Sequence, residues 1–188
     1  METLSPDMDR LPAQPTEQEI VMLCGLPGSG KTTYTTNLME KRDYLKLSID
    51  EAVYERHGRY NVDYHHLEYR RLETETYEEL DKELVRTLAC GRSAILDYGF
   101  WLKEQRDKYK DIARTMGVQS RLLYFKADRD VLWERLQLRN QRADPNALYV
   151  DEDLFERMHL RFEEPQDEKE IILIQNNNSR MPSSASHE

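Results

Sequence analysis

Long hydrophobic runs are missing from this sequence: no stretch approaches the roughly 18 consecutive apolar residues that a membrane-spanning helix requires. Residues 1–19 also lack the basic start and the apolar middle of a secretory signal peptide. Both absences argue against a membrane protein or a secreted protein. We therefore expect a cytoplasmic protein with no membrane partner.

Cysteine is scarce, with Cys24 and Cys90 as the only two in the chain. They lie far apart in the sequence, and neither has a neighbour at the spacing of a metal-binding motif. This pattern indicates two reduced thiols, as in most cytosolic proteins, and it offers no cysteine-based metal site.

A surplus of basic residues is also absent. The 188 residues include 27 Lys and Arg against 36 Asp and Glu, which gives a net charge of −9. Electrostatic binding of a nucleic-acid backbone over a wide surface is therefore not expected, although net charge does not exclude a local basic groove. The hydrophobic fraction of 38% is sufficient for the core of one domain of ordinary size.

The most specific motif is a glycine-rich stretch, residues 25–32, that fits the phosphate-binding pattern G-x-x-x-x-G-K-[ST] at every fixed position. An apolar segment before it predicts a buried strand, and residues 33–41 after it predict a helix. Glycines let backbone N–H groups approach phosphate oxygens, and the helix N-terminus adds positive potential. Lys31 can reach the terminal phosphates, and the Thr32 hydroxyl can ligate Mg²⁺. The stretch therefore predicts a nucleoside triphosphate site rather than a simple glycine-rich turn.

Strand-like and helix-like segments alternate along the chain. Predicted strands cover residues 20–24, 44–49, 93–96, 121–125 and 171–174, and predicted helices cover residues 33–41, 51–57, 63–89, 102–116, 128–140 and 151–163. In the long third helix, Asp63 is the expected N-cap and Leu67 the first residue of the apolar face. The alternation predicts an α/β fold: a five-stranded, mostly parallel sheet with helices on both faces.

A single domain, residues 18–175, is expected, with a lid at about residues 136–152 around Pro145. The proline-containing residues 1–17 predict a flexible N-terminal tail. The Asn- and Ser-rich residues 176–188 predict a disordered C-terminal tail.

Two carboxylates follow predicted strands, and ligands bind at the carboxyl ends of strands in such sheets. Asp97 closes the third strand and can hold Mg²⁺ directly or through water; alternatively, it caps the following turn. Asp50 closes the second strand, which we expect beside the first, and is the candidate general base for a hydroxyl acceptor, and Ser48 beside it could share the contacts to the acceptor. The alternative for Asp50 is the N-cap of the next helix. No glutamate follows Asp97, so transfer to a bound acceptor is expected rather than hydrolysis.

Arg135, Arg139 and Arg142 form a stripe at helical spacing, with no Asp or Glu at the neighbouring i±3 and i±4 positions. Cations without local partners suit the charge of a triphosphate in its transition state. A solvated helix face, or pairing with another helix, is the alternative explanation. We expect Arg135 and Arg139 to act in catalysis together with Lys31 and Asp50.

Side chains near the start of the third helix, Tyr64, Tyr69 and Arg70, could contact an acceptor by stacking and hydrogen bonds, as could Trp101 after the third strand. Half-exposed helix surface explains the first three equally well, and core packing explains Trp101. The two histidines that follow Tyr64 lack a histidine partner one helical turn away, so no transition-metal site is expected there.

The phosphate loop, the strands ending at Asp50 and Asp97, and the arginine-rich helix before a lid together resemble the small P-loop kinases with an AAA-type ATP-binding domain. This family includes chloramphenicol phosphotransferase, zeta-toxin-type kinases and the kinase domain of polynucleotide kinase. The resemblance, over roughly residues 18–165, implies a three-layer P-loop kinase fold with a central first strand, an arginine-bearing lid, and ATP and Mg²⁺ as cofactors. The residues then expected to bind the nucleotide are Gly25, Pro27, Gly28, Ser29, Gly30, Lys31, Thr32, Thr33, Arg139 and Arg142.

The expected function is transfer of the γ-phosphoryl group of ATP to a hydroxyl of a small molecule, such as an antibiotic or another metabolite, by a monomer or homodimer. Two alternatives stay open. A 5′-hydroxyl polynucleotide kinase would need a basic groove and stacking aromatics beside Asp50, of which Arg56, Arg59, Arg70 and Arg71 offer a weak version. A regulatory protein would bind ATP without transferring phosphate.

Overall fold

The computed structural model describes residues 17–39, 43–60, 62–141, 149–166 and 171–175, without the side chains of residues 37, 66 and 171–175. The strands are β1 (Glu19–Cys24), β2 (Tyr44–Ser48), β3 (Ser93–Gly99), β4 (Gln119–Lys126) and β5 (Ile171–Gln175). The helices are α1 (Lys31–Met39), α2 (Ile49–His57), α3 (His66–Ala89), α4 (Lys103–Met116), α5 (Arg129–Asn140) and α6 (Glu152–Arg161). Apart from residue 17, the two predicted tails lie outside the described residues.

All five strands pair in parallel within one sheet, in the order β2-β3-β1-β4-β5. Strand β1 is central, as the resemblance implied, and every one of its residues is buried. The predicted five-stranded parallel sheet is therefore confirmed. The expected position of β2 was wrong: it does not lie beside β1, because β3 is inserted between them.

Side chains of β1 point alternately to the two faces of the sheet, as the period of a strand requires. Ile20, Met22 and Cys24 pack in an apolar cluster with residues of α3 and α4. Val21 and Leu23 pack in a second cluster with residues of α1. Helices therefore cover both faces, which confirms the predicted three-layer α/β fold.

The start of α3 differs from the prediction. His65 is the N-cap, and its Nδ1 accepts a hydrogen bond from the backbone N–H of Leu67 at 3.3 Å. Asp63 is not the N-cap; it accepts a bond from the backbone N–H of Arg59 at 2.7 Å, because aspartate stabilises turns as readily as helix ends. Leu67 is 76% exposed, so the buried apolar face of the helix begins only at Leu72.

The predicted lid, at about residues 136–152, overlaps the end of α5, which reaches Asn140 as predicted, and the start of α6. Residues 142–148 lie outside the described part of the chain, so the lid stays a prediction. The Asn140 side chain donates to the carbonyl oxygen of Val150 at 2.7 Å and thereby holds the end of α5 near the start of α6. Val150 packs with Leu26 of the phosphate loop in a third apolar cluster.

Within the described residues, no helix combines the length and the apolarity needed to cross a bilayer. The longest, α3, has 24 residues, and many of them are charged.

Candidate active site

The phosphate loop connects β1 to α1 at the carboxyl edge of the sheet. Gly25 has a φ of +147°, and a Cβ atom there would lie 2.7 Å from the carbonyl oxygen of Phe125. Gly28 has a φ of +84°, and a Cβ atom there would lie 3.1 Å from the carbonyl oxygen of Leu132 in α5. A side chain at either position would strain the backbone and push the loop away from its neighbours. Glycine is therefore required at both positions.

Lys31 is the first residue of α1, and its ammonium group donates to the carbonyl oxygens of Gly25 at 2.8 Å and Leu26 at 3.0 Å. Burial lowers the pKa of Lys31, and nearby carboxylates, Asp97 first, oppose this effect. The loop carbonyls thus hold the ammonium group where an incoming phosphate can meet it. Among the other predicted nucleotide-binding residues, Ser29 is buried, Pro27 and Gly30 are half-buried, and Thr32 and Thr33 are exposed.

Asp97 lies within β3, opposite Ser48 of β2. The strand continues to Gly99, so the expectation that Asp97 closes it was wrong. Burial raises the pKa of the Asp97 carboxyl group, and the positive charges of Lys31 and Lys46 oppose this shift. The structure therefore brings the predicted metal-binding carboxylate next to the loop lysine.

Thr32 and Asp97 fit the way in which proteins bind magnesium beside a triphosphate. No group of three or more His, Cys, Asp or Glu side chains suited to a metal is present among the described residues. Mg²⁺ usually keeps several waters and takes one or two protein ligands together with substrate phosphates. One carboxylate and one exposed hydroxyl in the first turn of α1 suit that mode, so these two residues would hold the ion.

Asp50 lies just beyond the end of β2, as the second residue of α2. The N-cap of α2 is Ser48, whose Oγ accepts a bond from the backbone N–H of Glu51 at 3.5 Å, so the alternative N-cap role of Asp50 is wrong. The Tyr69 hydroxyl donates to Oδ1 of Asp50 at 3.2 Å. No described cation forms an ion pair with this carboxylate. Asp50 therefore keeps hydrogen-bonding capacity for another molecule.

The surroundings of Asp50 favour proton uptake. Its side chain keeps access to solvent, but the protein atoms around it displace much of its hydration, and this raises its pKa. The negative charge of Asp97 raises the pKa further, whereas the Tyr69 bond, Lys31 and Arg139 lower it only in part. A carboxylate with a raised pKa is a better base than an ordinary aspartate. The geometry supplies a potential general base beside the phosphate loop.

Helix α5 lies against the phosphate loop and carries two of the three predicted arginines to it. Arg135 donates through Nη1 to the carbonyl oxygen of Gly28 at 3.1 Å. Arg139 follows one turn later on α5, and its charge lowers the pKa of the loop lysine and that of Asp50. Both arginines are half-buried, so a solvated helix face does not describe them. Arg142 lies outside the described residues.

Two of the predicted acceptor-binding residues of α3 and its N-terminal flank lie near Asp50. Tyr64 and Tyr69 are half-buried, and the charge of Asp50 adds to burial in raising the pKa of each. The ring of Tyr60, which sequence reasoning missed, packs edge-to-face on Tyr64 at 6.1 Å and on Tyr69 at 5.5 Å. Tyr60 precedes the helix, so helical periodicity carried no signal for it. Arg70 is exposed.

The turn after β3 adjoins the phosphate loop. The backbone N–H of Gly25 donates to the carbonyl oxygen of Gly99 at 3.0 Å. Trp101 lies over Gly99 and against the third apolar cluster, a position that fits the core-packing alternative. Arg106 of α4, also missed from sequence, is 1% exposed and donates to the carbonyl oxygens of Phe100 at 3.0 Å and Trp101 at 3.3 Å.

Comparison with known families gives one match. Residues 20–165 match the family model described as an AAA domain. No curated protein sequence matches the chain significantly.

Several solved structures share this fold at low sequence identity. A candidate kinase from Chloroflexus aurantiacus J-10-fl is 17% identical, with a TM-score of 0.66 over 86% of this chain and 90% of that one. Kti12 from Chaetomium thermophilum, solved with ADP-AlF3, is 20% identical, with a TM-score of 0.59 over 83% of this chain and 88% of that one. A chain of the Pnkp1/Rnl/Hen1 RNA repair complex is 15% identical, with a TM-score of 0.59 over 79% of this chain and 45% of that one.

These likenesses agree with the architecture: a parallel sheet with a central first strand, followed by a phosphate loop and a helix that begins with the loop lysine. The family match extends over most of the chain and includes every described site residue. The chain therefore belongs to the AAA domain family and has the fold of the small P-loop kinases.

Proposed function

We propose that this protein is a kinase that transfers the γ-phosphoryl group of ATP to a hydroxyl group of a small molecule. The observation that carries the proposal is the position of Asp50, an aspartate with a raised pKa at the same sheet edge as the ammonium group of Lys31. Binding of a nucleotide alone requires the loop but no base. A base beside the loop supports transfer to an acceptor rather than a purely regulatory role.

The residues of the site divide the work of the reaction. Lys31, Arg135 and Arg139 stabilise the negative charge of the phosphates. Asp50 accepts the proton of the acceptor hydroxyl as the acceptor oxygen forms a bond to the γ-phosphorus. The bond between the γ-phosphorus and the bridging oxygen breaks, and its electron pair leaves with ADP. Mg²⁺, when bound, supplies further neutralisation of phosphate charge.

Replacement of the base tests this assignment. We expect Asp50→Asn to lower phosphoryl transfer by about 10²- to 10⁴-fold, because the amide cannot accept the proton. The Kd for ATP should stay within about threefold, because binding depends on the loop and the arginines. Transfer is measured with γ-labelled ATP and a small-molecule cell extract, and affinity is measured by calorimetry.

Asp153→Asn is the matched control, since Asp153 is exposed on α6, and it should transfer as the unaltered protein does. Transfer by Asp50→Asn within about tenfold of the unaltered rate would show that Asp50 is not the base. Label that enters only a 5′-hydroxyl RNA oligonucleotide would favour a polynucleotide kinase. ATP binding without any labelled product would favour a regulatory protein.

A further inference from the structure

The acceptor must reach Asp50, so the groups around Asp50 on the side of α3 decide which acceptors fit. Three tyrosines stand there. We call Tyr60, Tyr64 and Tyr69 the tyrosine cluster: their rings lie edge-to-face at 5.5 and 6.1 Å, and Tyr69 is hydrogen-bonded to Asp50. Aromatic rings of this kind offer stacking surfaces and attract cations to their faces.

A second carboxylate, Glu73, lies one helical turn after Tyr69 on the same side of α3. It is half-buried, and burial together with the charge of Asp50 raises its pKa. Arg70 and Arg161 act in the opposite direction. Within the described part of the chain, Glu73 forms no ion pair and no hydrogen bond with any residue.

On this side of the site two carboxylates are close to each other, and the positive charges of Arg70, Arg161 and Arg139 offset them only in part, without direct contact. Asp50 and Glu73 are negative and lack a directly paired cation among the described residues. The nearby Lys31 donates to loop carbonyl oxygens at the phosphate position, so we expect its charge to compensate the phosphates of the nucleotide rather than these carboxylates. An acceptor that displaces water here leaves both carboxylates poorly compensated unless it brings a positive charge. An anionic acceptor would be repelled by both.

We propose that the acceptor is an amino alcohol, a small molecule with a protonated amine near the hydroxyl that is phosphorylated, in which Glu73 binds the ammonium group and the tyrosine cluster packs against it. This proposal rests on the kinase function above and specifies its substrate class. It makes Glu73 a specificity-determining residue. It also disfavours nucleic-acid ends and sugar phosphates, which carry negative charge close to the reacting hydroxyl.

The substrate class is tested by charge fractionation. A small-molecule extract is divided by ion exchange into cationic, neutral and anionic fractions, and each is incubated with the full chain and γ-labelled ATP, with Lys31→Ala as the blank. We expect labelled product from the cationic fraction. Label only from the neutral or anionic fraction would overturn the amino-alcohol proposal while leaving the kinase intact. No label from any fraction would overturn the kinase function and, with it, this proposal.

The role of Glu73 is tested with serial dilutions of the active fraction. Glu73→Gln should raise the half-saturating concentration of the fraction about 10- to 100-fold, as expected for loss of a charged hydrogen bond, with kcat within about threefold. The Kd for ATP should not change. Glu78→Gln, an exposed glutamate of the same helix, is the matched control and should behave as the unaltered protein. Unchanged half-saturation in folded Glu73→Gln would overturn the proposal; if that variant does not fold, Glu73→Asp decides by the same criterion.

Discussion

At the scale of the single residue, the surroundings of Asp50 destabilise its negative charge. Enclosure by protein atoms and the charge of Asp97 both oppose its ionised form, and the Tyr69 hydrogen bond offsets them only partly. At neutral pH the ionised carboxylate is therefore less stable in the folded protein than in the unfolded chain. Strain of this kind is common where a fold keeps a reactive group poised for a ligand.

Removing this charge should stabilise the protein without nucleotide. A carboxyl group with a raised folded pKa contributes its stability below the unfolded pKa of about 3.9 and loses it as the pH rises through the folded value. This stability is lost as the pH rises toward neutrality, so Asp50→Asn should raise the free energy of unfolding at pH 7. We expect no more than about 1 kcal/mol, or roughly 1–4 °C in Tm, because the side chain keeps access to water, which screens its repulsion from Asp97.

Thermal unfolding of the two proteins between pH 8 and pH 4 measures this effect. The difference in Tm should shrink as the pH falls, because Asp50 then becomes protonated and resembles the amide. Asp153→Asn should show no such gain. A lower Tm for Asp50→Asn at pH 7, or a difference that does not depend on pH, would contradict the electrostatic account.

At the scale of elements, the turn between β3 and α4 supports the phosphate loop. Phe100 has a φ of +47°, which is unfavourable for a residue with a side chain, so neighbouring contacts must hold it. Arg106 donates to the carbonyl oxygens of Phe100 and Trp101, and the thiol of Cys24 donates to the same Phe100 oxygen at 3.2 Å. Arg106 is therefore a positioning residue for the backbone against which the loop begins.

Replacing Arg106 by an apolar residue of similar length should lower both the stability of the fold and the affinity for ATP. We expect Arg106→Met to lower the free energy of unfolding by about 2–4 kcal/mol, because two buried carbonyl groups lose a charged donor. We also expect the Kd for ATP to rise about tenfold, as the backbone beside Gly25 loses its support. Urea denaturation and calorimetry measure the two quantities.

Leu84→Ala is the matched control for Arg106→Met. Leu84 is fully buried between α3 and the sheet, and its truncation should cost about 2–5 kcal/mol without changing the Kd for ATP. Equal losses of affinity in the two variants would mean that general destabilisation, rather than the turn, controls the loop.

The elements themselves were largely predictable from sequence. Apolar runs and helix-period patterns located the five strands and six helices of the described residues, because apolar positions recur with the period of a strand or of a helix. The order of the strands was not predictable in the same way: β2 follows β1 in the chain, but the crossover passes over β3. The N-terminus of α3 was misplaced, since aspartate is a preferred N-cap residue and histidine is not, while the local contact with Arg59 keeps Asp63 in the preceding turn.

The site was predictable where chemistry is tied to a motif. The loop residues, Asp50 and Asp97 follow from strand ends and phosphate-binding spacing. Glu73 and Arg106 were missed because charged residues in amphipathic helices are normally solvated, and only the packed structure shows their partial or complete burial.

At the scale of the whole molecule, the phosphate loop connects the sheet with helices α5 and α6. Leu26 of the loop packs in one cluster with Leu132, Leu136 and Phe155, so the loop is continuous with the core of α5 and α6. Arg135 adds a hydrogen bond from α5 to the loop backbone. A nucleotide bound to the loop should therefore stabilise the entire domain rather than the loop alone.

Thermal shift measurements test this coupling. ATP at 100 times its Kd should stabilise the folded state by about 2.7 kcal/mol and raise the Tm by roughly 5–11 °C. The shift should disappear in Lys31→Ala, which lacks the loop ammonium, and persist in Lys82→Ala, where an exposed lysine of α3 is removed. A full shift in Lys31→Ala would contradict the assigned nucleotide site.

The insertion of β3 between β1 and β2 also sets the distance between the segments that follow these two strands. Neighbouring strands lie about 4.8 Å apart, so the segments that follow β1 and β2 emerge roughly 9–10 Å from each other, with Asp97 on the strand between them. If β2 lay directly beside β1, the distance between the ends of these two strands would be half as large. In the proposed reaction, this separation leaves room for the γ-phosphorus together with the oxygen that leaves it and the oxygen that attacks it.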